Sequence, residues 1–263
     1  MSIDIIENVL TLLVTIVGLL MALFNYIETP KRGWMAVSLF FLAHLLSDYY
    51  WTIYTLVIGE NPDVSAFMAY FGWNVSYAIL LILAIHMRPK EEKLLFHPVL
   101  LVPIFLNIWQ FMIYNRFGGF LNNLYEGVVA TAAVCVSCQA IISYVKNRKN
   151  GAAFPWLHGV ILAYFTCEYG MWTSSCYFWE NSITNPYYCF SFLGGASLLL
   201  LSWALKKVYK TRGYVDPETD TRGMTFQIIL EFAVFVILFL CCAGGYSVAR
   251  IMEQNYPTGE GRN

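Results

Sequence analysis

Long apolar stretches constrain this 263-residue chain more than any other feature. A membrane-spanning helix needs about 20 consecutive, mainly apolar residues, and eight stretches meet that requirement. Only 13% of the residues are charged, whereas a soluble domain has about 25%. The sequence therefore predicts an all-α, polytopic membrane helix bundle. Its expected spans are residues 5–27, 34–58, 65–87, 97–115, 120–145, 153–176, 186–207 and 224–248, of which the fourth is the shortest.

The basic residues predict how the bundle is oriented. Of the 16 Lys and Arg residues, 13 lie in four alternate linkers, at Lys31–Arg32, Arg88–Lys93, Lys146–Lys149 and Lys206–Arg222. The positive-inside rule places such linkers in the cytoplasm. Both termini would then be extracytoplasmic, and the chain would be a multi-pass protein of the plasma (cytoplasmic) membrane. The acidic residues before the first apolar run indicate a retained helix rather than a basic signal peptide.

The linker after the seventh span suggests how the chain is divided. It begins with basic residues, which anionic membrane lipid attracts, and it continues through a turn into an acidic half. Residues 1–212 are expected to form a seven-helix bundle and residues 213–223 a cytoplasmic linker. Residues 224–248 would form an eighth transmembrane helix, and residues 249–263 a short polar extracytoplasmic tail.

Polar residues inside the spans predict a binding pocket in the outer half of the bundle. His44, Asp48 and Trp51 are spaced i, i+4 and i+7, so they share one helix face. At 1.5 Å per residue, four polar side chains on different helices fall within roughly 3–6 Å of one level. They are Asp48, Asn74, Gln110 and Glu168.

These residues together predict a site for a small molecule. Asp48 and Glu168 would orient or charge-pair the ligand, and two carboxylates would favour a cation. Asn74 and Gln110 would form hydrogen bonds with it. Trp51 and Trp172 would form the walls of the pocket. Supporting positions are His44, Tyr77 and Glu126.

Other interpretations of the same residues stay open. Buried polar side chains also join helices by hydrogen bonds without any ligand. Asp48 and Glu168 could instead relay protons in an ion-coupled transporter. His44 either pairs as an imidazolium with Asp48 or donates as a neutral ring to a backbone carbonyl.

Two further groups of residues have candidate chemistry. Cys176 and Cys189 flank the loop 177–188, and a disulfide between them would close that loop on an oxidising face of the membrane. His86, His97 and His158 fall near the cytoplasmic ends of their helices, where an imidazole is common at the interface. Because no carboxylate or Cys accompanies them at ligand spacing, no metal and no cofactor are expected.

Several classes of protein are disfavoured. The spans contain no central Lys for a retinal Schiff base, and the sequence has no phosphate-binding Gly loop, HExxH or GxSxG motif. We therefore expect no enzymatic activity. The net charge of −1 gives no field that would attract nucleic acid.

The layout resembles the seven-helix transmembrane input domains of bacterial membrane sensors, which precede a histidine kinase or diguanylate cyclase. The resemblance covers residues 5–212 and concerns topology alone, including the basic exit at Lys206–Arg212. It implies that the outer half senses a ligand and that the seventh helix transmits the signal.

The eighth helix departs from that pattern. Either the chain is the front of a longer sensor, or it signals through a homodimer or another partner. A small-solute or proton-coupled transporter and a structural membrane subunit remain the alternative functions.

Overall fold

A computed structural model describes residues 3–59, 61–62, 67–88, 97–177 and 182–211. Within these ranges the chain forms seven α-helices and no strand. The predicted linker 213–223, eighth helix 224–248 and tail 249–263 lie outside the described residues. The helices are α1 (Ile3–Glu28), α2 (Arg32–Ile58), α3 (Phe67–His86), α4 (Leu101–Tyr114), α5 (Phe120–Asn147), α6 (Trp156–Ser175) and α7 (Pro186–Lys210).

Local sequence explains several helix ends. The Asn185 side chain accepts a hydrogen bond from the Tyr187 backbone N–H, at 3.0 Å, and caps α7. Pro186 follows at the first helical position, where its missing N–H has no cost. Short 3-10 turns, Pro98–Leu100 and Asn115–Phe117, extend α4 at both ends. α4 itself has 14 residues, about 21 Å of helix at 1.5 Å per residue.

Apolar length identifies a membrane protein. Three segments are long and apolar enough to cross a bilayer, namely Ile3–Glu28, Phe120–Asn150 and Pro186–Lys210. Tyr70–His86 and Pro98–Tyr114 are shorter apolar helices. A helix can cross hydrocarbon because its backbone hydrogen bonds are satisfied within the segment.

Six helices form a closed ring, and the seventh packs outside it. Around the ring, α1 contacts α2, α2 contacts α3, α3 contacts α5, α5 contacts α6, α6 contacts α7, and α7 returns to α1. The main helix partner of α4 is α5. Short linkers predict that neighbours in sequence pack together, and that prediction is wrong for α3, which packs on α5 rather than on α4. The helix between α3 and α5 in the sequence, α4, is therefore the one that lies outside the ring.

Apolar side chains fill the half of the ring that lies towards the basic linkers. Leu83, Leu157 and Leu205 are fully buried there. They belong to α3, α6 and α7, so three walls of the ring meet in one core. This packed core closes one half of the bundle, and the acidic residues of the bundle interior lie in the other half.

The close approach of α3 to α2 depends on Gly72. A Cβ at this position would collide with the Ala43 carbonyl oxygen and lie 2.9 Å from the Ser47 backbone nitrogen. The Ser47 hydroxyl oxygen accepts the backbone N–H of Gly72 at 2.9 Å and of Trp73 at 3.2 Å. Only glycine lets the two backbones come this close.

Gly72→Ala should therefore destabilise the fold. Overpacking of this kind costs about 1–3 kcal/mol, more than the gain of up to about 1 kcal/mol that Ala brings to a helix interior. Thermal unfolding of the purified protein in detergent should show a lower midpoint.

Gly127→Ala is the matched control. Gly127 is also a mid-helix glycine, but a Cβ there would meet nothing within 4 Å. Its unfolding midpoint should stay constant or rise. Equal losses in the two variants would contradict a role for close α2–α3 contact.

Candidate ligand-binding cavity

A cavity of about 370 Å³, which we call the outer cavity, opens where α1 begins and α2 ends. Every described helix contributes to it, through the first residues of α1, α3, α5 and α7 and the last residues of α2, α4 and α6. Successive helices therefore run in opposite directions. Its lining residues are Asp4, Glu7, Asn8, Trp51, Asn61, Tyr70, Tyr114, Phe117, Gly118, Asn122, Asn123, Glu126, Trp172, Ser175, Cys176, Asn185, Tyr187 and Tyr188.

Two smaller cavities adjoin the outer cavity. The inner cavity, of about 60 Å³, lies deeper among α1, α2, α3, α6 and α7, and its lining includes His44, Asp48 and Glu168. The side cavity, of about 120 Å³, lies mainly among α4, α5 and α6, and its lining includes Gln110. The Trp172 side chain lines all three cavities, so it stands at their junction.

The cavities are strongly acidic. Asp4, Glu7 and Glu126 line the outer cavity, and Glu7 lines the inner one together with Asp48 and Glu168. No Lys or Arg lines any of the three within the described ranges. Carboxylates in a low-dielectric bundle attract positive charge far more strongly than they do in water.

Asp48 lies between α1 and α3, with 4% of its surface exposed. Trp73 Nε1 donates to its Oδ1 at 2.8 Å. On the other side, the Thr15 hydroxyl lies 2.5 Å from Asp48 Oδ2. The carboxyl group thus joins three helices through its two oxygens.

His44, one turn earlier on α2, is buried beside Asp48. Its Nε2 lies 3.7 Å from Asp48 Oδ1, beyond ordinary hydrogen-bond distance. Its Nδ1 lies 3.1 Å from the Ser76 hydroxyl oxygen on α3. The geometry thus brings His44 close to Asp48, as expected, but the ring hydrogen-bonds to Ser76.

Glu168 and Glu126 differ in the hydrogen-bond donors that contact their carboxylates. Tyr77 O–H donates to Glu168 Oε2 at 2.7 Å, and Trp172 Nε1 donates to the same oxygen at 3.1 Å. Glu126 lines both the outer and the side cavity. In the part of the chain that the structure describes, its carboxylate accepts no hydrogen bond. Glu126 therefore has the larger capacity to bind a donor that enters the cavity.

The two acidic residues at the start of α1 contact α7. The Tyr188 hydroxyl donates to Asp4, and the Ser191 hydroxyl donates to Glu7. Thr11 also donates to Glu7, at 3.4 Å. These bonds connect the wall of the outer cavity to the helix that leads towards the basic linker.

Asn74 and Gln110 have different surroundings from those expected. Asn74 is 1% exposed and donates through Nδ2 to Asn122 on α5. It is not among the residues that line the three cavities, and its Oδ1 has no hydrogen-bond partner in the described ranges. Gln110 lines the side cavity, where its Nε2 reaches Tyr169 O at 3.2 Å and Thr173 Oγ1 at 3.1 Å.

Four aromatic rings form one continuous wall. The Trp51 ring centroid lies 5.5 Å from that of Trp73 and 6.1 Å from that of Tyr70. Trp172 lies 5.9 Å from both Tyr70 and Trp73. Centroid distances of about 4.5–7 Å with tilted rings are the favoured geometry for aromatic pairs. The two tryptophans proposed as walls thus meet through Tyr70 and Trp73.

The pocket expected from the sequence included no residue of α1. Asp4 and Glu7 start that helix, and Glu7, Thr11 and Thr15 recur at spacing of four on one face. This pattern of polar residues in an apolar run could have placed α1 beside Asp48. From the sequence alone, the two acids are expected only as the acidic start before the first apolar run.

Cys176 and Cys189 are both free thiols in this structure. The disulfide that would close the loop 177–188 stays a prediction. Cys176 lines the outer cavity.

Comparison with protein-family models, with curated proteins and with solved structures finds no match for this chain. The function must therefore be inferred from the geometry of the cavities.

Asn122→Ala should destabilise the protein, because it removes the partner of the deeply buried Asn74 amide. The cost should be about 1–2 kcal/mol, between a typical hydrogen bond in a membrane bundle and an unsatisfied buried amide. Thermal unfolding in detergent measures it.

The neighbouring Asn123→Ala serves as control. Asn123 Nδ2 donates to the Gly118 carbonyl at a more exposed position, so its loss should change the midpoint less. Indistinguishable midpoints for the two variants would show that the Asn74–Asn122 bond contributes nothing.

Proposed function

We propose that this chain is the signal-input part of a membrane receptor and binds a small organic cation in the outer cavity. The observation that carries the proposal is the combination of Asp4, Glu7 and Glu126 with aromatic walls. An ammonium group is attracted both by carboxylates and by the faces of aromatic rings. The volume of about 370 Å³ lies within the range of about 300–1,000 Å³ for small-molecule pockets.

The carboxylates have separate roles in this proposal. Glu126 anchors the cation, because its oxygens are not engaged with donors from the described chain. Trp51 and Trp172 form the walls around the apolar part of the ligand. Asp48 and Glu168, in the inner cavity, add to the negative field, and Gln110 contacts the ligand where the outer cavity continues into the side cavity.

The signal would pass through α7. A cation that binds Asp4 and Glu7 competes with the hydroxyl donors of Tyr188 and Ser191, which hold α7 to α1. Ligand binding then shifts the equilibrium between two arrangements of these helices. The α7 helix ends at Lys210, where the basic linker begins, and a homodimer or a signalling partner would read its position there.

The proposed topology follows the charge of the linkers. The end of the bundle opposite the outer cavity carries Lys31, Arg88 and Lys149. With that end in the cytoplasm, the outer cavity faces the exterior of a plasma membrane and both termini are extracytoplasmic. The seven-helix unit, residues 1–212, would resemble sensor input domains in topology. The eighth spanning helix proposed at 224–248 would follow it as a departure from that pattern.

A transporter is the alternative that the acidic inner cavity favours. Transport needs a path to the opposite side, and the apolar core around Leu83, Leu157 and Leu205 fills that half of the bundle. The packed core supports the receptor over the transporter. Uptake of the ligand into proteoliposomes, abolished by Asp48→Asn, would contradict the receptor.

Binding can be tested with three probes of similar shape and different charge: phenethylammonium, 2-phenylethanol and phenylacetate. Phenethylammonium should raise the unfolding midpoint in a concentration-dependent way, because a ligand that binds only the folded state stabilises it. Glu126→Gln should weaken its affinity roughly tenfold to hundredfold, since hydrogen bonds to charged groups contribute about 1.5–3 kcal/mol.

Glu28→Gln is the matched control for charge, because Glu28 is an exposed carboxylate at the far end of α1. This variant should bind phenethylammonium like the original chain. If phenylacetate or 2-phenylethanol stabilises the protein as strongly as the cation, charge does not select the ligand and the proposal is wrong.

Reporter fusions test the orientation. Alkaline phosphatase joined after residue 119 should be active, and green fluorescent protein joined after residue 150 should fluoresce. The first position lies at the cavity end and the second in a basic linker, and each reporter works on only one side of a bacterial inner membrane. The opposite pattern would place the outer cavity in the cytoplasm.

A further inference from the structure

The side cavity continues inward from Glu126, the carboxylate that would anchor the cation. The outer and side cavities share four lining residues, Tyr114, Asn123, Glu126 and Trp172. Along α5 the wall of the side cavity runs on from Glu126 to Val134, about 12 Å of helix at 1.5 Å per residue. A ligand with its charge at Glu126 therefore has a second space beside it, which leads away from the mouth of the outer cavity.

Apolar side chains line most of this second space. They come from α4, α5 and α6, and they are Pro103, Leu106, Phe111, Ala130, Val134 and Phe165. Apolar atoms of a ligand gain free energy against such a wall, because they are removed from water.

Polar side chains of the same wall have donors that are engaged within the protein. Asn107 Nδ2 and Thr166 Oγ1 each donate to the backbone carbonyl four residues earlier, at 2.9 and 2.7 Å. Gln110 Nε2 donates to the Tyr169 carbonyl at 3.2 Å, and Tyr169 O–H donates to the Leu106 carbonyl at 3.3 Å. A polar group in the side cavity would lose its water and find few donors in exchange, which is costly. The side cavity thus favours an apolar occupant.

Two carboxylates lie at the edge of this apolar wall, and they differ in availability. Glu168 Oε2 accepts hydrogen bonds from Tyr77 and Trp172. The Glu126 carboxylate accepts none in the part of the chain that the structure describes. An ammonium group is therefore best placed at Glu126, with the rest of the ligand along the apolar residues.

Gly127 leaves room beside the anchor. It follows Glu126 on α5 and lines the side cavity, and a Cβ there would meet nothing within 4 Å. A glycine inside a helix weakens it, and nothing among the described residues approaches closely enough to require one here, in contrast to Gly72. The lack of a side chain at this position keeps the side cavity wide next to the carboxylate.

The α4 helix separates the side cavity from the surface of the bundle. Its cavity-lining side chains share one face, whereas Phe105, Trp109 and Met112 on the opposite face are 62–66% exposed. Thr166 on α6 lines the cavity and is also exposed, so the cavity reaches the surface between α4 and α6. A chain too long for the cavity would emerge there beside apolar side chains, which are compatible with lipid tails.

We propose that the side cavity is a subsite for an alkyl chain, so that the cation of the outer cavity is a single-chain amphipathic amine. The inference rests on the proposed function and adds to it the class of ligand. The ammonium group lies at Glu126, and the chain runs along the wall from Gly127 to Val134. The side cavity has a volume of about 120 Å³, whereas one water needs roughly 10–15 Å³. Because a methylene group is about as large as a water, the cavity holds a chain of roughly eight methylenes.

Binding of straight-chain alkylammonium ions, from butylammonium to octylammonium, tests the subsite. Equilibrium dialysis of the full chain in lipid nanodiscs against the aqueous amine measures binding, with uptake by empty nanodiscs subtracted. Each added methylene should raise the affinity about threefold to fourfold, as expected when a CH₂ group leaves water for an apolar site. An affinity that does not rise with chain length would overturn the proposal.

Gly127→Leu should remove the dependence on chain length, because the new side chain fills the cavity beside Glu126. Octylammonium should then bind no more tightly than butylammonium. Val128→Leu is the matched control and should keep the full series, since Val128 is 61% exposed and lines none of the three cavities. If Gly127→Leu does not fold, Ala130→Leu, deeper in the same wall, takes its place with the same expected result. A series equally steep in the filled variant and in the control would contradict the subsite.

Phenethylammonium separates this proposal from the proposed function. If its binding depends on Glu126 while the alkyl series is flat, the outer cavity takes a cation and the side cavity takes no chain. If neither phenethylammonium nor any alkylammonium ion binds, both proposals are wrong.

Discussion

The burial of carboxyl groups among apolar helices is the constraint on which this architecture depends. A charged side chain at membrane depth costs at least about 2.5 kcal/mol on insertion scales, so it faces a bundle interior or a wet cavity. Asp4, Glu7, Asp48 and Glu168 each receive donors from a neighbouring helix or the next turn. These bonds join α1 to α7, and they join both α2 and α6 to α3, while the Thr15–Asp48 contact connects α1 to α2. The acidic cavities lie between these helices.

Helix bounds could be predicted from the sequence, whereas helix neighbours could not. Each described helix agrees with an expected span to within about five residues at either end, because backbone groups in hydrocarbon must bond within their own segment. The length of a loop, however, does not show whether the helix that follows it belongs to the ring. Because α3 contacts α5, the Asn74 side chain forms a hydrogen bond with Asn122. Asn74 therefore does not line the expected pocket.

The acidic and aromatic residues of the site were more predictable than its amides. A carboxylate in an apolar run is rare enough to mark Asp48 and Glu168, and Trp51 and Trp172 lie within two turns of them. Glu7 is also a carboxylate in an apolar run, but it lies near the start of the chain, where an acidic residue is not unusual. Depth alone could not tell which of Asn74 and Gln110 turns towards a cavity, since that depends on helix rotation.

Every described helix lines the outer cavity, and this has a consequence for how the protein matures. A ligand that fits there finds its complete set of contacts only after α7, the last of the described helices, has joined the bundle. Occupancy would therefore report that assembly is finished, and by mass action it would protect finished molecules over partly assembled ones. Cells that contain the ligand during synthesis would accumulate more of the protein, independently of any signal it sends.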